Sequence, residues 1–107
     1  MARAATTSDP FNAIAEPRRR EILELLAADE RSVGEIGTAL ALNQPSVSKH
    51  LRVLLDVGLV TARRDGRRAL YRTNPEPLRD VHEWSGMFAR YWRSQLRRIK
   101  THAEGKR

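Results

Sequence analysis

The segment from Asn43 to Gly58 constrains the fold most, because it predicts one amphipathic helix. Pro45 stands in the first turn, where proline is tolerated, and Gly58 follows the last turn, where glycine commonly ends a helix. At about 100° per residue, one stripe of this helix is apolar and the opposite side is polar. The apolar stripe consists of Val47, Leu51, Leu54 and Leu55. We call the segment the reading helix and expect its polar side to be exposed.

The polar side of the reading helix carries groups that suit the major groove of DNA. They are Gln44, Ser46, Ser48, Lys49 and Arg52. Hydroxyls, amides and cations in the N-terminal half of a helix can hydrogen-bond to base edges and phosphates there. His50 lies between the two sides and is interpreted as a packing residue, with base contact as the alternative. An ordinary surface helix is the alternative for the whole segment.

A β-hairpin is predicted over residues 60–73, where two β-like runs flank an Asp-Gly pair. A two-residue turn at that pair would place Arg64 opposite Arg67 and Arg63 opposite Arg68. Like charges directly opposite each other destabilise a sheet. Four arginines at the tip of the hairpin therefore favour a polyanion as its partner.

Capping signals predict helices upstream of the reading helix. Asp9-Pro10 starts a short helix, and a second runs from Pro17 to about residue 28. The arginines at positions 18–20 are interpreted as solvated, with contact to a DNA backbone as the alternative. Ser32 and Glu35 form a capping box that starts a third helix over residues 33–40.

These elements predict a mainly α fold with a small β-hairpin, about five helices in all. The third helix, a short turn and the reading helix form a helix-turn-helix over residues 33–58, and the hairpin at 59–73 adds a wing. Residues 1–8 are expected to be a flexible tail and residues 9–103 a single domain.

A last helix is predicted over about residues 77–103, with apolar positions at roughly heptad spacing. It carries more aromatic surface than so small a chain can bury, so part of it is expected to pack against a second copy. The predicted dimer interface is Phe11, Ile14, Trp84, Phe88, Tyr91, Trp92 and Gln95. A purely intramolecular core helix is one alternative. The other is that the aromatic side chains line a site for an unknown small-molecule effector.

The distribution of charge supports a nucleic-acid partner. The chain has 107 residues, a formal net charge of +7 and a pI of about 11.0. Residues 1–40 carry five basic and seven acidic side chains, residues 41–73 seven and two, and residues 74–107 eight and four. The positive excess therefore begins at the reading helix.

The composition also excludes several kinds of site. There is no cysteine, so disulfides and thiolate metal sites are excluded. The sequence contains no apolar run long enough to span a membrane and no signal-peptide core near Met1, which predicts a cytoplasmic protein. No carboxylate pair, activated nucleophile or phosphate-binding glycine loop occurs at a workable spacing, so an enzyme is not expected.

The run Gln44-Pro45-Ser46-Val47-Ser48-Lys49-His50-Leu51-Arg52-Val53-Leu54, the following Gly58-Leu59-Val60 and the arginine-rich wing together resemble the ArsR/SmtB family of bacterial winged-helix repressors. The segment from Pro17 to Leu26 is similar to that family's second helix. The resemblance covers roughly residues 11–73. It implies a homodimer joined through its first and last helices that binds double-stranded DNA at an inverted-repeat operator. Its implied DNA contacts are Gln44, Ser46, Ser48, Lys49, Arg52, Arg63, Arg64, Arg67 and Arg68.

The chain departs from the family's metal-binding patterns. Ser32-Val33-Gly34-Glu35-Ile36 stands where the thiolate site of the third helix resembles C-V-C-D-L. On the last helix, Asp80 and His82 match the opening of a second pattern, but Arg93 and Leu96 occupy its later positions and cannot bind a metal. No metal and no cofactor is therefore predicted, as in family members without a metal site.

The leading hypothesis is a sequence-specific transcriptional repressor that acts as a homodimer. The alternative is a winged-helix protein-interaction module whose basic surface does not bind specific DNA.

Overall fold

A computed structural model describes the backbone of residues 9–105 and the side chains of residues 9–100. The predicted flexible tail at residues 1–8 lies outside the described residues. Six helices and one antiparallel hairpin make up the described chain. They are α1 (Pro10–Ile14), α2 (Pro17–Ala28), α3 (Val33–Leu40), α4 (Gln44–Asp56), β1 (Val60–Asp65), β2 (Arg68–Thr73), α5 (Leu78–Gly86) and α6 (Ala89–Gly105). The predicted mainly α winged fold is confirmed.

Side-chain caps start the first helices where the sequence predicts them. The Asn12 amide donates to Asp9 Oδ1 at 2.8 Å. In the capping box, the Ser32 amide donates to Glu35 Oε1 at 2.8 Å, and the Glu35 amide donates to Ser32 Oγ at 3.2 Å. Each cap satisfies backbone groups that the helix itself leaves unpaired.

Two of the arginines at the start of α2 bind the end of α1. Arg19 Nε donates to the carbonyl of Ala13 at 2.6 Å, and Arg20 Nη1 donates to that of Ile14 at 2.7 Å. Cations at a helix C-terminus satisfy the last carbonyls and interact favourably with the helix dipole. The interpretation of these two arginines as merely solvated is therefore wrong.

A tight turn joins α3 to the reading helix α4. Ala41 ends α3 in the left-handed conformation, with φ of 56°, and the Leu42 amide donates to the carbonyl of Gly37 at 3.0 Å. A Cβ added at Gly37 would lie 2.8 Å from the carbonyl oxygen of Leu42, so the close approach requires glycine. Asn43 then caps α4 by accepting from the Ser46 amide at 2.9 Å.

The hydrophobic core lies beneath α4. Its buried residues are Ala13, Ile22, Leu23, Leu26, Ile36, Val47, Leu51, Leu54, Leu59 and Val60. Three positions of the predicted apolar stripe of α4 are buried, whereas Leu55 is 38% exposed. The prediction that Leu55 is buried is wrong, because Leu59 and Val60 fill the core directly after the helix and leave Leu55 at its rim.

The strand pairing of the wing differs by two residues from the predicted register, because the loop lies one residue further along the chain. Asp65 pairs with Arg68 and Arg64 with Ala69, so the two-residue loop is Gly66-Arg67. Gly66 has φ of 66°, as the first loop residue of a type II′ turn requires. The prediction that arginines face each other across the hairpin is therefore wrong, and the wing carries no such repulsion.

The predicted single C-terminal helix is also wrong, because it is divided into α5 and α6. The amides of Met87 and Phe88 donate three residues back, to the carbonyls of Trp84 and Ser85. This tighter turn follows Gly86, which is a poor helix former. The rings of Trp84, Phe88 and Tyr91 still pack one after another across this turn.

Candidate nucleic-acid interface

The polar side of α4 is exposed as predicted. Gln44, Ser48, Lys49 and Arg52 are all exposed, whereas Ser46 is half-buried beside the N-cap. The exposed groups occupy the first nine residues of the helix, next to its N-terminus, where amide hydrogens and the helix dipole favour anions. This surface can hydrogen-bond to base edges and phosphates.

His50 points away from this surface towards the start of α2. Its side chain is half-buried, and its Nδ1 has no hydrogen-bond partner among the described residues. Burial lowers the pKa of His50 below its ordinary 6.5, the positive charges of Arg19, Lys49 and Arg18 lower it further, and Glu16 opposes them. The imidazole is therefore neutral at neutral pH, which suits a packing residue better than a phosphate contact.

An open groove of about 370 Å³ lies between α4 and the wing. Its lining residues are Ser48, Leu51, Arg52, Leu55, Asp56 and Tyr71. Tyr71 belongs to β2, so the wing stands directly beside the polar surface of the reading helix. The position of Tyr71 was not predicted, because nothing in a strand pattern indicates which helix a side chain will face.

The four arginines near the tip of the wing have different surroundings, although all four are exposed. Arg63 donates from Nε to Glu30 Oε2 at 2.9 Å and from Nη2 to Glu30 Oε1 at 2.8 Å. Arg68 lies 3.7 Å from carboxylate oxygens of both Glu35 and Asp65. The pairing of Arg63 was not foreseen, because Glu30 lies 33 residues away in the sequence.

Strand alternation places these arginines on two sides of the wing. Arg63 shares its side with Leu70 and Arg68, next to the carboxylates near α3. Arg64 shares the other side with Tyr71, which lines the groove beside α4. Arg64 Nη2 donates to the carbonyl of Arg67 at 3.3 Å, and no carboxylate pairs with it in residues 9–100.

A separate surface is apolar. The rings of Phe11 and Trp84 pack edge to face with centroids 5.9 Å apart, Trp84 and Phe88 follow at 5.4 Å, and Phe88 and Tyr91 at 6.4 Å. These side chains remain strongly exposed, from 41% at Phe11 to 59% at Tyr91, as does Trp92 at 50%. We call this the aromatic surface. Ile14 beside it is half-buried, and Gln95 is exposed on α6.

The α6 helix extends away from the rest of the domain. The Cα radius of gyration is 17.8 Å, against about 13 Å for a compact domain of this length. Leu96 and Ile99 are 58% and 64% exposed on the same helix. The alternative of a purely intramolecular core helix is therefore wrong for α6, whose apolar side chains pack against little else in the described chain.

No group of three His, Cys, Asp or Glu side chains that could hold a metal ion occurs within the described residues. Asp80 and His82 are both exposed on α5.

No helix of residues 9–105 is long and apolar enough to cross a membrane.

Comparison with known proteins identifies the type of domain. Residues 16–62 match the family model described as "Bacterial regulatory protein, arsR family". The matched segment runs from the N-cap of α2 into β1 and contains the whole helix-turn-helix.

Three similar proteins agree with this match. The transcriptional repressor SdpR of Bacillus subtilis is 34% identical over 74 residues, which are 69% of this chain and 82% of that protein. A probable mercury resistance operon repressor of Streptomyces lividans is 37% identical over 76 residues, 71% of this chain but only 61% of that protein. The homodimeric winged helix-turn-helix DNA-binding domain of a possible ArsR-family regulator from Mycobacterium bovis is 40% identical, with a TM-score of 0.59 over 72% of this chain and 71% of that one.

Proposed function

The chain belongs to the arsR family of bacterial regulatory proteins, and we propose that it is a transcriptional repressor that binds an inverted-repeat operator as a homodimer. It is a regulator rather than an enzyme, as its relatives are.

The observation that carries the proposal is the position of the wing beside the exposed half of α4. Ser48 and Arg52 of the reading helix share one groove with Tyr71 of the wing. The proposed DNA contacts are Gln44, Ser46, Ser48, Lys49, Arg52, Arg63, Arg64, Arg67 and Arg68. The α4 residues would read bases in the major groove, and the wing residues would contact phosphate or the minor groove.

The aromatic surface supports the homodimer. Monomeric proteins rarely leave so large a contiguous apolar area exposed. A second copy would cover it, because a two-fold interface pairs the same surface on both subunits. The related domain from Mycobacterium bovis is described as homodimeric. We propose Phe11, Ile14, Trp84, Phe88, Tyr91, Trp92 and Gln95 as interface residues.

We also propose that this repressor does not respond to metals through the family's usual sites. Ser32 and Gly34 occupy positions where thiolates would be needed, and Arg93 and Leu96 occupy positions where the site begun by Asp80 and His82 would need further ligands. Adding Zn²⁺ should leave operator affinity unchanged, whereas release of the DNA by stoichiometric Zn²⁺ would contradict this part of the proposal.

Selection of duplexes from a random pool with the purified chain tests the proposal. Mobility shifts at several salt concentrations should then show tight, salt-sensitive binding to a pseudo-palindrome with half-sites about one helical turn apart or a small multiple of that. Binding that ignores sequence at every salt concentration would contradict a sequence-specific repressor. No binding even to random duplex at low salt would instead favour a protein-interaction module.

A further inference from the structure

We infer that the wing divides its arginines between two tasks. This takes Arg63 out of the set of DNA contacts proposed above. Arg63 is a positioning residue that Glu30 holds so that the wing keeps its angle to the reading helix, while Arg64 and Arg67 contact DNA phosphates. This inference rests on the proposed DNA binding and specifies how the wing is arranged for it.

The contact between Arg63 and Glu30 has the geometry of a fixed link. Both of its hydrogen bonds are short, 2.9 Å and 2.8 Å, and they run in parallel between the planar guanidinium and the carboxylate. Such two-point pairing fixes orientation as well as distance. The Glu30 side chain is only 23% exposed. Hydrogen bonding to Arg63 also lowers the pKa of Glu30, so the carboxylate is charged throughout the neutral range.

A backbone link lies next to this ion pair. The Arg31 amide donates to the carbonyl of Tyr71 at 3.1 Å, and the Tyr71 amide donates to that of Arg31 at 2.9 Å. Residue 31 therefore pairs with the edge of β2 that β1 leaves free. The segment between α2 and α3 holds both strands of the wing, β1 through Glu30 and Arg63 and β2 through Arg31 and Tyr71.

The position of the wing determines the width of the groove beside α4. Tyr71, which the backbone link fixes, lines that groove together with Ser48 and Arg52. A wing released from Glu30 would keep β2 attached through Arg31 and through the hydrogen bond from Thr73 to Leu23, but β1 and Arg64 could shift relative to the reading helix. A duplex that contacts both elements would then meet a less well ordered surface.

Arg64 and Arg67 differ from Arg63 in their position on the hairpin and in their hydrogen-bond partners. Arg63 would have to break two hydrogen bonds to reach a phosphate, whereas Arg64 is restrained only by the longer bond to the carbonyl of Arg67. Arg67 is an exposed loop residue, and no carboxylate pairs with it in residues 9–100. Arg64 and Arg67 are therefore the arginines near the tip of the wing that are free to neutralise phosphate.

Substitution of Glu30 separates this inference from simple electrostatics. Removing a negative charge from a protein that binds DNA should, by charge alone, tighten binding. A link between Glu30 and Arg63 predicts the opposite sign, because the wing loses its support. Asp29→Asn is the matched control, since Asp29 is the neighbouring carboxylate and forms no ion pair in the described chain.

Fluorescence anisotropy with a selected duplex, repeated over a range of salt concentrations, measures both affinity and salt dependence. We expect Glu30→Gln and Arg63→Gln each to weaken binding about two- to fivefold with an unchanged salt slope. The double variant should be no weaker than Arg63→Gln alone. Arg64→Gln, with the same charge change on the other side of the strand, should lower the salt slope by about one.

Exchanging the charges of Glu30 and Arg63 tests whether their contact can be restored. Adding Glu30→Arg to Arg63→Glu should restore most of the lost affinity, and adding Asp29→Arg instead should restore less. Unfolding midpoints in urea check that each variant is folded.

Three results would overturn the inference. The first is that Arg63→Gln lowers the salt slope as much as Arg64→Gln does. The second is that Glu30→Gln binds DNA at least as tightly as Asp29→Asn, and the third is that the charge swap restores no affinity. Failure of the proposed function is distinguishable, because the wild-type chain would then bind no duplex and the inference would fall with it.

Discussion

The hydroxyl of Thr73 donates a hydrogen bond of 2.7 Å to the backbone carbonyl of Leu23. The two residues are 50 positions apart in the sequence, and the bond joins the end of the wing to the middle of α2. Replacing Thr73 by valine keeps the shape of the side chain and removes the donor. We expect the free energy of unfolding to fall by about 0.5–1.5 kcal/mol in urea denaturation. Thr61→Val, in the exposed middle of β1, is the control and should change it little.

The left-handed conformation of Ala41 predicts a stabilising substitution. A residue with a Cβ is strained at a φ of 56°, and glycine is not. Ala41→Gly should therefore raise the free energy of unfolding by about 0.5–1 kcal/mol. The same substitution two residues earlier, Ala39→Gly inside α3, should lower it by about 1 kcal/mol. Equal effects at the two sites would show that the turn is not held in this conformation.

The surroundings of His50 predict a pH dependence of stability. Because burial lowers its pKa in the folded chain, the unfolded chain takes up a proton first as the pH falls below about 6.5. Stability should be greatest above that pH and should decline as the pH falls from there towards the lower folded pKa. Denaturation of wild type and His50→Gln between pH 5 and 8 checks this, since the variant should lose part of the decline. An identical pH profile would contradict the placement of His50.

The reading helix and the wing, both proposed to contact DNA, are expected to affect specificity differently. Replacing Ser48 and Lys49 together by alanine should relax sequence preference, because these residues face base edges in the proposed complex. Arg67→Ala should weaken binding to all duplexes about equally and lower the salt slope by about one. Competition between selected and random duplexes at fixed salt measures both effects. A loss of preference in Arg67→Ala with none in the α4 variant would reverse the proposed roles.

The sequence predicted interactions between residues that are close together along the chain better than interactions between distant residues. The capping box of Ser32 and Glu35 and the cap at Asp9 involve residues three positions apart, and both were predicted. The pairing of Glu30 with Arg63 was not, because it depends on how the hairpin packs on the α2–α3 connection.

The other differences between prediction and structure, in the wing loop and in the C-terminal helix, involve small differences in local conformational energy. A loop at Gly66-Arg67 instead of Asp65-Gly66 shifts the strand pairing by two residues, so each side chain keeps its side of the hairpin. Both loops satisfy the preference for glycine in a two-residue hairpin turn. The turn after Gly86 was not predicted, because the heptad-like spacing of apolar residues continues through it. The sequence predicted that the proposed DNA contacts on α4 would be on the exposed side of the helix, but it did not predict that Tyr71 would lie beside them.

The most direct test of the central claim is to map the DNA-binding surface by NMR. Backbone amide shifts of the isotope-labelled chain would be recorded as a selected duplex is added. The proposed arrangement predicts that the largest changes occur at Ser48, Lys49 and Arg52 of α4 and at Arg64 and Arg67 of the wing. Changes confined to α5 and α6, or no changes at a salt concentration where binding is measurable, would contradict it.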